Sequence, residues 1–197
     1  VQTGGFVNIN GNISGFDAPL NEVEINAVRH LDINSNITAD EIDLTSALGH
    51  IVTHNGALLS ATDLVASAAH WIEMTTAVAT LDARNTTGAG DVRINEVDDI
   101  EPIEVSTPIG NVDVAAGGTI TLNRATASGI VVLNAWGGAL VDGNDGPLPD
   151  VDAADAILLA RDDIGSAANP FETDLSRLEM GSSSGGIWLN NTGVLTV

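Results

Sequence analysis

The sequence has no cysteine, no lysine and no tyrosine. Without cysteine there is no disulfide, no thiolate metal site and no thiol nucleophile. Without lysine, six arginines stand against 27 acidic residues, and the net charge is −21. Phosphate binding needs a basic face, so this balance argues against nucleic acid as a partner and against docking to anionic membrane surfaces. Aromatic residues are 3% of the chain. The core must then come from Ile, Leu, Val and Ala, which suits narrow, repetitive packing better than a large irregular centre. No apolar run approaches the ~20 residues needed to cross a bilayer, so no membrane insertion is expected. The first residue is Val1 and no charged-then-apolar leader follows it, as expected of a processed chain or a piece of a longer one.

What is present is one short unit, repeated: an apolar residue, any residue, Ile or Leu, then Asn. It occurs as Val7-Asn8-Ile9-Asn10, Val23-Glu24-Ile25-Asn26, Leu31-Asp32-Ile33-Asn34, Val92-Arg93-Ile94-Asn95, Ile120-Thr121-Leu122-Asn123, Val131-Val132-Leu133-Asn134 and Ile187-Trp188-Leu189-Asn190. Relaxing the last position adds Ile42-Asp43-Leu44-Thr45, Ile72-Glu73-Met74-Thr75, Ile103-Glu104-Val105-Ser106, Val112-Asp113-Val114-Ala115 and Leu178-Glu179-Met180-Gly181. Two apolar residues flank one polar residue in nearly every unit, which is the period of a half-buried strand. Such a strand cannot bury its apolar side alone, but many stacked strands can. Neighbouring units lie about 8–11 residues apart, or about twice that where one unit is degenerate, so three strands per turn give a coil of roughly 20–30 residues, in the range of solenoid repeats.

Gly4-Gly5, Gly88-Ala89-Gly90, Gly117-Gly118, Gly137-Gly138 and Gly185-Gly186 sit between strands, where glycine supplies positive φ without steric cost. The Asn after each strand reads as a turn former, as a rung in a hydrogen-bonded ladder of stacked Asn side chains, or as both. Over residues 56–84, Leu58, Ala61, Val65, Ala68 and Ile72 would line one face of a helix. Trp71-Ile72-Glu73-Met74 and Thr75-Thr76 continue the strand pattern, and strands are expected there. Residues 142–155 are dense in turn formers, with two prolines, and read as a loop leaving the stack. Residues 14–21 form a smaller excursion of the same kind. Nothing divides the chain into two domains. The expectation is one all-β domain over 1–197: a right-handed parallel β-helix, or β-solenoid, of roughly seven to nine coils without dedicated caps.

Ala154-Asp155-Ala156-Ile157-Leu158-Leu159-Ala160 leads to Gly165-Ser166-Ala167-Ala168-Asn169-Pro170. Thr173-Asp174-Leu175-Ser176-Arg177-Leu178-Glu179 and Gly185-Gly186-Ile187-Trp188-Leu189-Asn190-Asn191-Thr192-Gly193 follow. This stretch resembles the repeats of filamentous-haemagglutinin-like bacterial surface adhesins. The likeness is clear over about residues 150–197 and looser over 37–55 and 90–140. It implies a right-handed parallel β-helix, secretion to the extracellular space or cell surface, and a role as stalk or adhesive fibre. It carries no catalytic motif. The high acidity and the missing lysine depart from the family's usual composition.

Three features bear on chemistry. Glu96-Val97-Asp98-Asp99-Ile100-Glu101-Pro102-Ile103-Glu104 is the densest acidic run; it reads as a solvated face, as calcium ligands or as a carboxylate pair for glycoside hydrolysis. Asp142, Asn144, Asp145, Asp150 and Asp152 form the better calcium candidate, because their oxygens are close and the loop can fold around an ion. Their spacing matches neither the EF-hand nor the calcium-loaded β-roll. His50 and His54 would make a metal pair on a helix, but their segment reads as strand and turn, so all four histidines are expected in turns or on the surface. Asn-x-Ser/Thr sequons occur at Asn12, Asn36, Asn85 and Asn190. The functional expectation is a structural segment of an extracellular fibre, stalk or surface array. It would be adhesive, not an enzyme, and without a required cofactor. Its expected partners are further coils stacked end to end as a homopolymer, and a cell-surface or polysaccharide ligand. The alternatives are a polysaccharide-acting β-helix lyase or hydrolase and a calcium-dependent spacer.

Overall fold

The computed structural model describes residues 2–3, 5–15, 20–144, 146 and 148–196. Among these, the chain forms 19 strands in one continuous sheet and no helix. Every pairing between strands is parallel, and each strand pairs with its counterpart about one coil away. This is a parallel β-solenoid of about nine turns, consistent with a right-handed parallel β-helix.

Three faces wind around the core. The first is the most regular. Val7, Leu31, Ile51, Ile72, Val92, Val112, Val131, Ala156 and Leu178 succeed one another in register. The intervals run from 19 residues (Val112 to Val131) to 25 (Val131 to Ala156). Alternation does the work: in Val92–Glu96 and Val112–Ala116 the first, third and fifth residues are buried and those between them are not. An inward Leu133 is packed by Val114 before it and Leu158 after it, and burial of such a side chain contributes about 1.5–3 kcal/mol.

The second and third faces are made by long bent strands, Ile37–Ser46, Leu59–Ala68, Ile100–Thr107 and Ile120–Ala127. Residues 56–84 follow the strand expectation: Leu59–Ala68 and Ile72–Asn85 pair along their length, Leu64 against Leu81 and Ala66 against Ala83. The helical spacing of Leu58, Ala61, Val65, Ala68 and Ile72 loses to the stack. A helix there would leave the neighbouring coils' edge groups unpaired in the wall.

Two local readings change. Asn26, Asn95, Asn123 and Asn134 lie inside strands and stop none of them. Their partners in register are other residue types, as in Asn95–Ala115–Asn134–Leu159. Asn10 and Asn34 do follow the ends of their strands, Val7–Ile9 and Leu31–Ile33, and Asn34 forms a rung, its Oδ1 accepting from Asn55 Nδ2 (3.3 Å). Outside the repeated units, Asn36 N donates to Asn12 Oδ1 (3.2 Å) and Leu58 N to Asn36 Oδ1 (3.0 Å). Gly88, Gly90, Gly117, Gly118, Gly137, Gly138 and Gly185 are needed for space, not for positive φ, which among the described glycines occurs instead at Gly56, Gly110, Gly165 and Gly193. A Cβ on Gly117 would overlap the carbonyl oxygen of Val97, and one on Gly137 that of Gly117.

The loop at 142–155 is narrower than its sequence implies. Asp142 is still paired with Leu122, and Val151 is already paired with Ala125. Eight residues thus separate Asp142 from Val151 where the preceding coil has only Asn123 and Arg124 between the matching positions. Within the smaller excursion at 14–21, residues 16–19 lie outside the described part, and Leu20 already belongs to a strand.

Candidate functional site

The neck of the 143–150 loop gathers three carboxylates. Asp142 ends the strand Leu140–Asp142 and takes the place held one coil earlier by the fully buried Leu122. The strand alternation turns it inward, and it is only 6% exposed. Asp150 closes the loop just before Val151 and is 0% exposed. Glu172 lies on Phe171–Asp174 in the following coil and is partly buried. One carboxylate oxygen from each of Asp142, Asp150 and Glu172 lies within 4.8 Å of the others.

The hydrogen bonds around them are few and specific. Asp142 Oδ1 accepts from Asn144 N at 2.7 Å. Asp150 accepts from Asn144 Nδ2 at 2.8 Å and from Glu172 N at 2.8 Å. Asp142 Oδ2 is buried and has no hydrogen-bond partner. No Arg or His pairs with any of the three among the described residues. Burial pushes the Asp150 carboxyl up to about 8, the Asp142 charge adding to this and the Glu172 amide opposing it. Glu172 is also raised, by burial and then by the charge of Asp142.

Of the five loop residues expected to hold calcium, Asp142 and Asp150 are at the cluster. Asn144 braces the neck: its amide nitrogen donates to Asp150 and to Asn123 O (2.7 Å), while its oxygen accepts from Gly146 N (3.0 Å). Asp145 lies outside the described residues. Asp152 turns away, to Arg124 at 3.2 Å. Glu172 carries no local signal. It stands 22 residues after Asp150, one coil on, so only a comparison of residues at the coil interval would find it.

The run from Glu96 to Glu104 does not converge. Glu96 is buried at a corner, where Oε2 accepts from Thr76 Oγ1 (2.8 Å) and Val78 N (3.2 Å) and Oε1 from Val97 N (2.8 Å). Ile72–Asn85 runs straight through this corner while the next coil breaks into a turn, and the Glu96 carboxylate takes up the amide left there. Burial raises its pKa against those hydrogen bonds. Asp99 accepts from Thr119 N at 2.6 Å, and Glu104 pairs with Arg84 at 3.2 Å.

The histidines are more ordered than expected. The position just before the first face holds Phe6, His30, His50 and Trp71 in four successive coils. Their ring centroids lie 4.8, 4.1 and 4.5 Å apart, and the last two contacts are stacked. Asp32 Oδ1 meets His54 Nε2 at 2.9 Å and His50 Nε2 at 3.4 Å. Burial would raise Asp32, but the two histidine hydrogen bonds outweigh it and hold the carboxyl below its usual range. Burial lowers His50. One sequon is closed to glycosylation in this fold: Asn85 is buried, with Nδ2 donating to Gly90 O at 2.9 Å and Gly88 O at 3.1 Å.

No family model matches the chain, and no curated protein or solved structure matches it either.

Proposed function

We propose that the chain is a structural segment of an extracellular β-solenoid fibre, stalk or surface array of the filamentous-haemagglutinin-like kind, adhesive in use. One observation carries the reading: the first face keeps parallel register through all nine of its strands. Such a ladder resists bending and stretching together, because every coil is joined to the next by main-chain hydrogen bonds and by inward side chains. Nine coils about 4.8 Å apart give a rod of roughly 40 Å. The same pairing is open to a further coil, of this polypeptide or of another copy, since exposed strand edges are templates for more strand. The acidic surface keeps rods from clumping sideways. Electron microscopy of the native material tests this. A continuous thin filament with a ~4.8 Å axial repeat is expected, and dispersed globular monomers would refute it.

A further inference from the structure

We propose that Asp142, Asp150 and Glu172 bind one Ca2+ ion, which ties the neck of the 143–150 loop to the next coil of the solenoid. The inference is independent of the fibre reading, which rests on the first face.

Position is the first ground. Asp142 fills a wall position that one coil earlier belongs to a buried leucine, Leu122. Asp150 is wholly buried beside it, and Glu172 approaches from the following coil. Acidic side chains on this chain have abundant surface on which to be hydrated, and Asp142 and Asp150 are not there. Buried charge is stable only when paired or coordinated. No side-chain cation is paired with it among the described residues, and the nearby Arg124 is engaged by Asp152.

The unmet oxygen is the second ground, and it is separate from the clustering. Asp142 Oδ1 has its amide, but Oδ2 is buried without any partner. A carboxylate oxygen left bare inside a wall is an unfilled acceptor, and a cation fills it. The neck is meanwhile held in shape by Asn144, which bonds Asp142, Asp150 and Asn123 together.

The donor set selects the ion. All three side chains offer hard oxygens, with neither imidazole nor thiolate among them, which favours calcium or magnesium over zinc or copper. The donors come from two coils and the base of a loop, an irregular arrangement. Calcium accepts six to eight oxygens in variable geometry, whereas magnesium demands a near-ideal octahedron and retains its waters. Calcium is the better fit, with water completing its shell.

The test is calorimetric titration of the chelator-stripped 197-residue chain with CaCl2 and, separately, MgCl2. One saturable calcium site per chain is expected, with magnesium at least about tenfold weaker. D142N and D150N should abolish the site. E172Q, at a partly exposed position that leaves the core untouched, should weaken it about tenfold or more. D40N, on an exposed strand position, should leave it unchanged. Circular dichroism identifies any variant that fails to fold, and E172Q then carries the decision. Absence of saturable calcium uptake by the parent chain overturns the proposal. So does a one-to-one site indifferent to E172Q, or a site that takes magnesium equally well. A rise in the melting temperature of D142N in chelator, with calcium affinity unchanged, would assign the cluster to a shared proton and also overturn it. None of these outcomes bears on filament formation, which microscopy reads separately.

Discussion

Replacing Asp142 by Asn removes one of two adjacent buried charges while keeping the shape of the side chain. The new amide oxygen still accepts the Asn144 N–H, and its NH2 group points donors toward the Asp150 carboxylate. Two unit charges within 4.8 Å of each other repel by at least about 3.5 kcal/mol at an effective dielectric of ~20. The repulsion matters only where Asp150 is ionised. Its folded pKa, about 8, lies far above the ~3.9 of an unfolded aspartate. Between those values the folded state holds a proton that the unfolded state has lost. In chelator, parent stability therefore falls as pH rises, by at most about 1.4 kcal/mol per unit, and levels off above about pH 8. The substitution lowers the Asp150 pKa, so the variant loses less. Near pH 8.5 it should exceed the parent by about 2 kcal/mol, or about 4–8 °C in melting temperature for a chain of this size. Saturating calcium should reverse the order, since an ion at a hundred times its Kd adds about 2.7 kcal/mol to the parent alone. Thermal melts by circular dichroism at about pH 5 and about pH 8.5, with chelator and with calcium, read all four corners. A variant less stable than the parent in chelator at the higher pH, or one with the same pH slope, refutes the reasoning.

Two further substitutions address the fold. Gly117→Ala drives a Cβ into the Val97 carbonyl of the adjacent coil and should cost about 1–3 kcal/mol in urea unfolding, by forcing the corners apart; a neutral result would show that the corner relaxes freely. His50→Ala breaks two of the three contacts of the aromatic stack, those with His30 and Trp71, and should cost about 1–2 kcal/mol. Burial depresses His50, so this residue alone contributes a loss of stability as pH falls below about 6.5, and Asp32, depressed by its histidine hydrogen bonds, adds a loss only below about 4. Both are superimposed on the opposite Asp150 trend and are read as the difference between parent and variant. That acid-side loss should be smaller in His50→Ala, and melting curves at stepped pH values in chelator measure it.

The strands were legible because strand formation here is local. Val92, Ile94, Val112 and Val114 alternate with polar residues, and a two-residue period has one way to face a core. The loop at 142–155 was legible for the same reason, through its own turn formers. The cluster was half legible: Asp142 and Asp150 drew notice as acidic residues in a loop, but so did Asp152, which the pleat turns outward to Arg124. Glu172 was not legible, nor was the stack of Phe6, His30, His50 and Trp71, since residues about twenty apart meet only after the coils have closed.

The sequence alone thus determined that this protein is a stack of parallel strands with an apolar interior and an acidic exterior, because periodicity and composition act within a few residues. Only the tertiary structure decided which residues share a rung. Coil length varies between 19 and 25 residues, and each change of length shifts which side chains stand above one another. Asp142 and Asp150, brought together in one coil, meet Glu172 from the next. That meeting depends on register, and register belongs to the closed coil.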